Sequence, residues 1–238
     1  MRVLFIAMLA ALSLGAQPPA AGQERAAVTA KASAPIDITG YWVAFVTEDW
    51  RFRMITPRKG DYQPVPMTPE ARKVADAWDP AADEAAGNQC KAYGAAAIMR
   101  LAARFHITWQ DDNTLRVDSD AGKQTRLFHF NAPSASPGER TWQGYSSAQW
   151  EKPASLKVTT TNLRPGYLRK NGVPYSENAT VTEYFDIGPI PGGSGGQVLL
   201  VTAIVDDTQY LRQPFTTSSQ FKKEADGSKW DPEACTAK

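Results

Sequence analysis

The sequence predicts an all-β chain: an antiparallel β-barrel, or a sandwich, of about 8–10 strands with one helical insertion. Three observations point there. From Arg104 onward, short runs rich in β-branched and aromatic residues alternate with turn signals at regular spacing. Within those runs apolar and polar residues alternate, the period of a strand with one buried face. Helix signals are confined to about 68–103.

The elements follow in chain order. Residues 1–22 read as a signal peptide: a positive start at Arg2, an apolar run over Val3–Leu14 too short to span a bilayer, then small residues from Gly15 to Gly22. Residues 23–36 show no apolar periodicity and are expected to be a flexible linker. The barrel domain is expected over 37–238. A first strand is predicted over Asp37–Val46. Trp50-Arg-Phe-Arg-Met54 alternates, which as a strand puts Trp50, Phe52 and Met54 on one face and Arg51 and Arg53 on the other. Thr68-Pro69 is a helix start, with Thr68 as N-cap and Pro69 at the first helical position; Asp79-Pro80 ends that helix. Ala81–Ala103 is Ala-rich, with Tyr93, Ile98, Met99 and Leu101 as packing residues.

A meander follows, with strands at 104–110, 114–119, 124–131, 141–151, 155–163, 178–187, 197–206 and 216–222. Centring the first turn on Asp112-Asn113 sets His106 opposite Asp118, and the next hairpin sets Thr125 opposite Asp118. One face then carries Phe105, Ile107, Trp109, Leu115, Val117, Phe128 and Phe130. The other carries Arg104, His106, Thr108, Arg116, Asp118, Asp120, Thr125 and His129. A one-residue slip would destroy this sorting.

Composition excludes several classes. The 238 residues are 42% hydrophobic and 21% charged, which is globular rather than disordered. A net charge of +1 gives no basis for phosphate neutralisation, so no nucleic-acid partner is expected. No apolar run of the expected mature chain reaches membrane-spanning length. Gly192-Gly-Ser-Gly-Gly196 reads as a hairpin connection with no following helix, so no Ser sits in a G-x-S-x-G elbow; H-E-x-x-H, the P-loop and the Rossmann fingerprint are absent, and no cofactor is expected. Two His and two Cys without ligand spacing predict no metal site. In an oxidising compartment Cys90 and Cys235 are expected to form one disulfide, worth about 5 kcal/mol on a loop-closure argument.

Gly40-Tyr41-Trp42 resembles the lipocalin G-x-W opening. The blocks Tyr167–Ser176, Thr182-Glu-Tyr-Phe185, Leu199–Thr202, Val205–Tyr210 and Gln213-Pro214 resemble a group of exported bacterial proteins. The likeness covers roughly the second half of the chain and part of the first. It implies a lipocalin-like barrel and a periplasmic or secreted location, and no catalytic residues. The group's commoner ending pairs Cys with His. Here Cys235 is followed by Thr-Ala-Lys, so no metal or haem role carries over.

Candidate site residues fall into sets. His106 and Asp118 are cross-strand neighbours, and a carboxylate beside an imidazole suits general-base work if that face lines the barrel interior or its mouth; on a solvated face they form an ordinary polar pair. Trp109, Phe128, Trp142 and Trp150 are candidates for an apolar pocket wall. Tyr145 and Tyr184 are candidate hydrogen-bond donors to a ligand, and Glu183 a candidate buried acid. Trp42 is expected to plug the barrel. Arg51 and Arg53 are candidates to meet a ligand carboxylate, or they face solvent. The basic, aromatic loop 164–175, with Tyr167 and Tyr175, is a candidate lid or partner surface. The function expected is an exported binding protein holding a small, mainly apolar molecule in an aromatic-lined barrel. The alternatives are a proton-transfer enzyme (isomerase, hydratase or lyase) using His106 and Asp118, and a ligand-free envelope interaction protein.

Overall fold

The computed structural model describes residues 28–131, 138–190, 192 and 195–238. The expected signal peptide lies outside them. Of the expected linker, residues 28–36 are described, and they lie against one end of the barrel. Ala30 is buried there, and its carbonyl accepts the indole N–H of Trp150 at 2.8 Å.

In chain order the elements are β1 (Gly40–Ala44), α1 (Trp50–Arg53), α2 (Pro69–Asp76), α3 (Pro80–Ala85), and two 3-10 turns, Lys91–Tyr93 and Ile98–Arg100. Then come β2 (Arg104–Asp111), β3 (Thr114–Ser119), β4 (Ala121–Gly122), β5 (Gln124–Phe130), β6 (Tyr145–Glu151), β7 (Ser155–Thr161), β8 (Gly166–Tyr167) and β9 (Pro174–Tyr175). The chain closes with β10 (Thr180–Pro189), β11 (Gln197–Asp206), β12 (Phe215–Glu224) and β13 (Glu233–Ala234). Thr68-Pro69 starts a helix as expected, while Asp79-Pro80, expected only to end one, also starts α3. The Thr68 hydroxyl accepts the Ala71 N–H with Pro69 in the first turn, and Asp79 caps α3.

Nine strands close a barrel in the order β1-β12-β11-β10-β7-β6-β5-β3-β2. The expectation of a purely antiparallel barrel is corrected here: β5 and β6 run parallel. The reason is parity. Around a closed ring, antiparallel neighbours alternate direction, and an odd number of strands cannot alternate throughout. One parallel step is unavoidable, and a parallel step needs a long return connection rather than a tight hairpin. That connection is the stretch between Phe130 and Tyr145.

A second correction concerns Trp50–Arg53. It alternates like a strand, yet it forms the single helical turn α1, in which Trp50 is exposed and Arg53 is buried, with Met54 exposed just after it.

The barrel wall sorts its residues as the alternation predicts. Trp42, Phe105, Ile107, Leu115, Val117, Phe128, Leu156, Val158, Phe185, Leu199, Val201 and Phe221 fill the interior. A second apolar cluster lies under a cap built from α2, the loop 164–177 and the 207–215 block; it includes Tyr62, Met67, Leu168, Tyr175, Val181 and Phe215. The tail is tied to this layer twice. Cys90 and Cys235 are joined by a disulfide, and β13 pairs with β4.

Between the two clusters lies one fully buried ion pair. Val181 belongs to the cap cluster and Phe185 to the barrel cluster, so Glu183, on the same face of β10, falls at their boundary. Arg126 of β5 reaches it in two-pronged fashion, Nη1 to Oε1 at 3.0 Å and Nη2 to Oε2. Arg126 Nη2 also donates to the Thr160 hydroxyl at 3.2 Å, which in turn bonds Ser146 at 2.7 Å. Removing one partner strands a charge in low dielectric. Glu183→Gln is therefore expected to cost about 3–5 kcal/mol in urea unfolding, whereas Arg126→Met with Glu183→Leu is expected to cost far less. Equal losses in the two proteins would contradict the pair's role.

Candidate functional site

The expected site residues do not converge on one place. His106 and Asp118 are partners in the β2–β3 register, as expected. They face outward, because Phe105 and Ile107 take the interior side of the same strand. The proton-transfer reading needed this face to line the barrel interior or its mouth, and the pair lies instead on the outer side of the β2–β3 wall. The Asp118 oxygens are engaged by Arg116 Nε at 2.8 Å and by the Thr125 hydroxyl at 2.6 Å. Burial pushes the Asp118 carboxyl up, but those hydrogen bonds outweigh it and hold it below its ordinary range. The His106 ring instead stacks on Tyr41 at 4.0 Å, with Trp230 edge-on at 6.2 Å, beside a shallow outer groove.

The aromatic candidates are dispersed. Phe128 packs on Phe185 inside the barrel at 5.4 Å. Trp109 and Trp150 close the end covered by residues 28–36, with Phe130 between them. Tyr145 stacks on His129 and Tyr184 meets Lys157, both on the outer face. Glu183 is the interior partner of Arg126. Trp142 donates to the Pro165 carbonyl at 3.1 Å, and the Arg164 guanidinium lies 4.5 Å over its ring. Trp42 is wholly buried, its indole N–H donated to the Ile38 carbonyl.

Tyr167 and Tyr175 belong to the cap. Tyr167 donates to Asp83 at 2.8 Å, and both burial and that carboxylate push its phenol up. Tyr175 is buried with its hydroxyl against Gly94 and Gly166, where an added Cβ would come within 2.5 Å and 2.6 Å of it. Only glycine permits that approach. Burial pushes the Tyr175 phenol up, and Tyr62, buried and bonded to Asp76, is raised to about 12.

The arrangement with chemical potential lies where α1, the Ile98–Arg100 turn and the 164–177 loop meet. They enclose a cavity of about 360 Å³. Arg53, Arg100 and Arg169 line it together with Lys170, and Phe52, Leu101 and Leu168 supply apolar wall. The three arginines are only 6%, 7% and 4% exposed. Each is tethered by part of its guanidinium. Arg53 Nε donates to the Arg100 carbonyl at 3.0 Å, Arg100 Nη2 to Asp49 at 3.0 Å, and Arg169 Nη1 to the Gln63 carbonyl at 2.6 Å. Arg169 also lies 4.1 Å over the Phe52 ring. The remainder is unmatched. Arg53 Nη1 and Nη2, Arg100 Nη1, and Arg169 Nε and Nη2 have no hydrogen-bond partner among the described residues.

Electrostatics agrees with the geometry. Burial and the neighbouring Arg100 charge lower the Arg53 pKa, and the same two causes bring Arg169 down to about 10. The carboxylates paired with Arg53 and Arg100 are Glu48 and Asp49, whose side chains are each 36% exposed; Glu48 stands 3.8 Å from Arg53. Arg126, by contrast, has a fully buried carboxylate of its own.

Of these arginines only Arg53 stood out in the sequence, through its alternation with Trp50 and Phe52. Arg169 lies in the basic loop, without a pattern that marks it. Arg100 carries no signal at all, since its role exists only once distant segments meet.

The chain matches no protein-family model, no curated protein and no solved structure. Among the described residues no cluster of His, Cys, Asp and Glu could hold a metal ion, and no helix is long and apolar enough to cross a membrane.

The cap tyrosines generate an alkaline prediction. Their folded pKa values stand above the ordinary value of about 10, so the folded state holds these protons more tightly than the unfolded chain does. Their stabilisation is complete below about pH 10 and is lost as the pH rises through the folded values. The melting temperature should fall between pH 9.5 and roughly 12, and less steeply in Tyr167→Phe. An identical slope in that variant would contradict the assignment.

Proposed function

We propose that this is an exported, lipocalin-like barrel protein that binds a small amphipathic anion in the cavity between cap and barrel. The observation that carries the reading is that the three buried arginines lining that cavity have five guanidinium nitrogens between them without partners among the described residues. A buried cation lacking acceptors costs several kcal/mol. An anionic ligand would supply the acceptors and recover that energy on binding. The volume of about 360 Å³ is within the range of small-molecule sites, and the Phe52, Leu101 and Leu168 walls suit an apolar body.

On this reading the ligand pairs an apolar part, set against Phe52, Leu101 and Leu168, with an acidic head set against the arginines. The lipocalin-like reading draws support from Gly40-Tyr41-Trp42 at the start of β1, where Trp42 is buried in the barrel. Export, to the periplasm or the medium, draws support from the apolar leader and from the disulfide, which persists in oxidising compartments.

The test is native mass spectrometry of protein purified from an oxidising compartment, followed by denaturation. An acidic small molecule should be retained by the wild type and lost from Arg53→Gln and Arg169→Gln. A clean apo mass, together with no binding of added anilinonaphthalene sulfonate, would overturn the proposal.

A further inference from the structure

Resting on the reading of this cavity as a ligand site, we infer that its anion is a tetrahedral dianion, a phosphate monoester or free phosphate, rather than a carboxylate. The argument is one of donor geometry. Arg53 leaves its terminal fork free, Nη1 with Nη2, and Arg169 leaves its lateral fork free, Nε with Nη2. Arg100 adds Nη1, and its charge acts on both neighbours, so the three guanidiniums form one cluster.

A carboxylate presents two oxygens in one plane, with about four acceptor sites that all lie in that plane. Two forks and a further donor from three chain segments exceed what it can satisfy. A phosphate monoester presents three terminal oxygens in three directions and carries about two negative charges near neutral pH. Its oxygens offer acceptors out of a single plane and in number enough for both forks and Arg100.

The charged groups around the cavity fit this demand. Lys170 lines it at the mouth, its ammonium held by the Thr236 hydroxyl at 3.1 Å. Glu233 also lines it, but is exposed. Asp49 engages Arg100 through Nη2, leaving Nη1 free, and Glu48 is beyond hydrogen-bond reach of Arg53. Asp61, which also acts on Arg169, is bonded to Arg51. The apolar walls favour the ester over the free ion, because phosphate alone would leave Phe52, Leu101 and Leu168 facing water.

The test is isothermal titration of the whole protein with phenyl phosphate, inorganic phosphate and phenylacetate, after removal of any retained ligand. Phenyl phosphate is expected to bind at least tenfold more tightly than phenylacetate, and Arg169→Gln to weaken it at least tenfold. Phenyl phosphate binding more tightly than inorganic phosphate assigns the ester; equal affinities assign free phosphate, and both support a tetrahedral dianion. Phenylacetate matching phenyl phosphate would overturn this inference and leave the binding function standing. So would binding of anilinonaphthalene sulfonate alone. Failure of all four probes would overturn both readings. If Arg169→Gln does not fold, Lys170→Gln at the cavity mouth takes its place, with a smaller weakening of about threefold expected for phenyl phosphate and none for phenylacetate. The wild-type comparison decides the inference in either case.

Discussion

A guanidinium removed from water keeps its charge and must be given acceptors, and this protein answers that constraint in two different ways. In the barrel wall, Arg126 has a fully buried carboxylate, Glu183, and a hydroxyl, Thr160. The pair forms a polar layer where the barrel core meets the cap core. Arg53, Arg100 and Arg169 are comparably buried, but each is tethered by part of its guanidinium and unmatched elsewhere. The first arrangement matches both terminal nitrogens within the chain and leaves only Arg126 Nε without a partner among the described residues. The second leaves five nitrogens without partners among the described residues, and that contrast is the basis of the functional reading.

Topology explains why the unmatched cluster sits where it does. The barrel interior is occupied by phenylalanine and aliphatic side chains, so it is a packed core. The cap is assembled from segments inserted between strands, and their polar groups meet over one end of the barrel. The disulfide between Cys90 and Cys235, with the β13–β4 pairing, ties the tail beside that end, where Glu233 and Ala121 form part of the cavity wall. The cavity therefore depends on chain closure as well as on local structure.

Much of the wall was legible because strand alternation is a local signal. The sorting of Phe105, Ile107, Leu115 and Val117 against His106, Arg116 and Asp118 follows from period two and one turn position. The Thr68 cap was legible for the same reason. The parallel β5–β6 step was not, since parity appears only when the strands are counted around a closed ring. Trp50–Arg53 misled because four residues satisfy a two-residue period and one helical turn equally well. The site was least legible. His106 and Asp118 looked like a dyad from their register, but register says who is opposite, not which face is inside. Arg100 and Arg169 lie far apart in sequence, and no periodicity joins them.

The central claim is that the three arginines form an anion site. The most direct measurement is the anomalous difference map of a crystal soaked in selenate, a tetrahedral dianion with an anomalous scatterer. The account predicts a peak within hydrogen-bond distance of Arg53 and Arg169, beside Arg100. A map without a peak there, with those guanidinium nitrogens bonded to protein oxygens or ordered water, would contradict it.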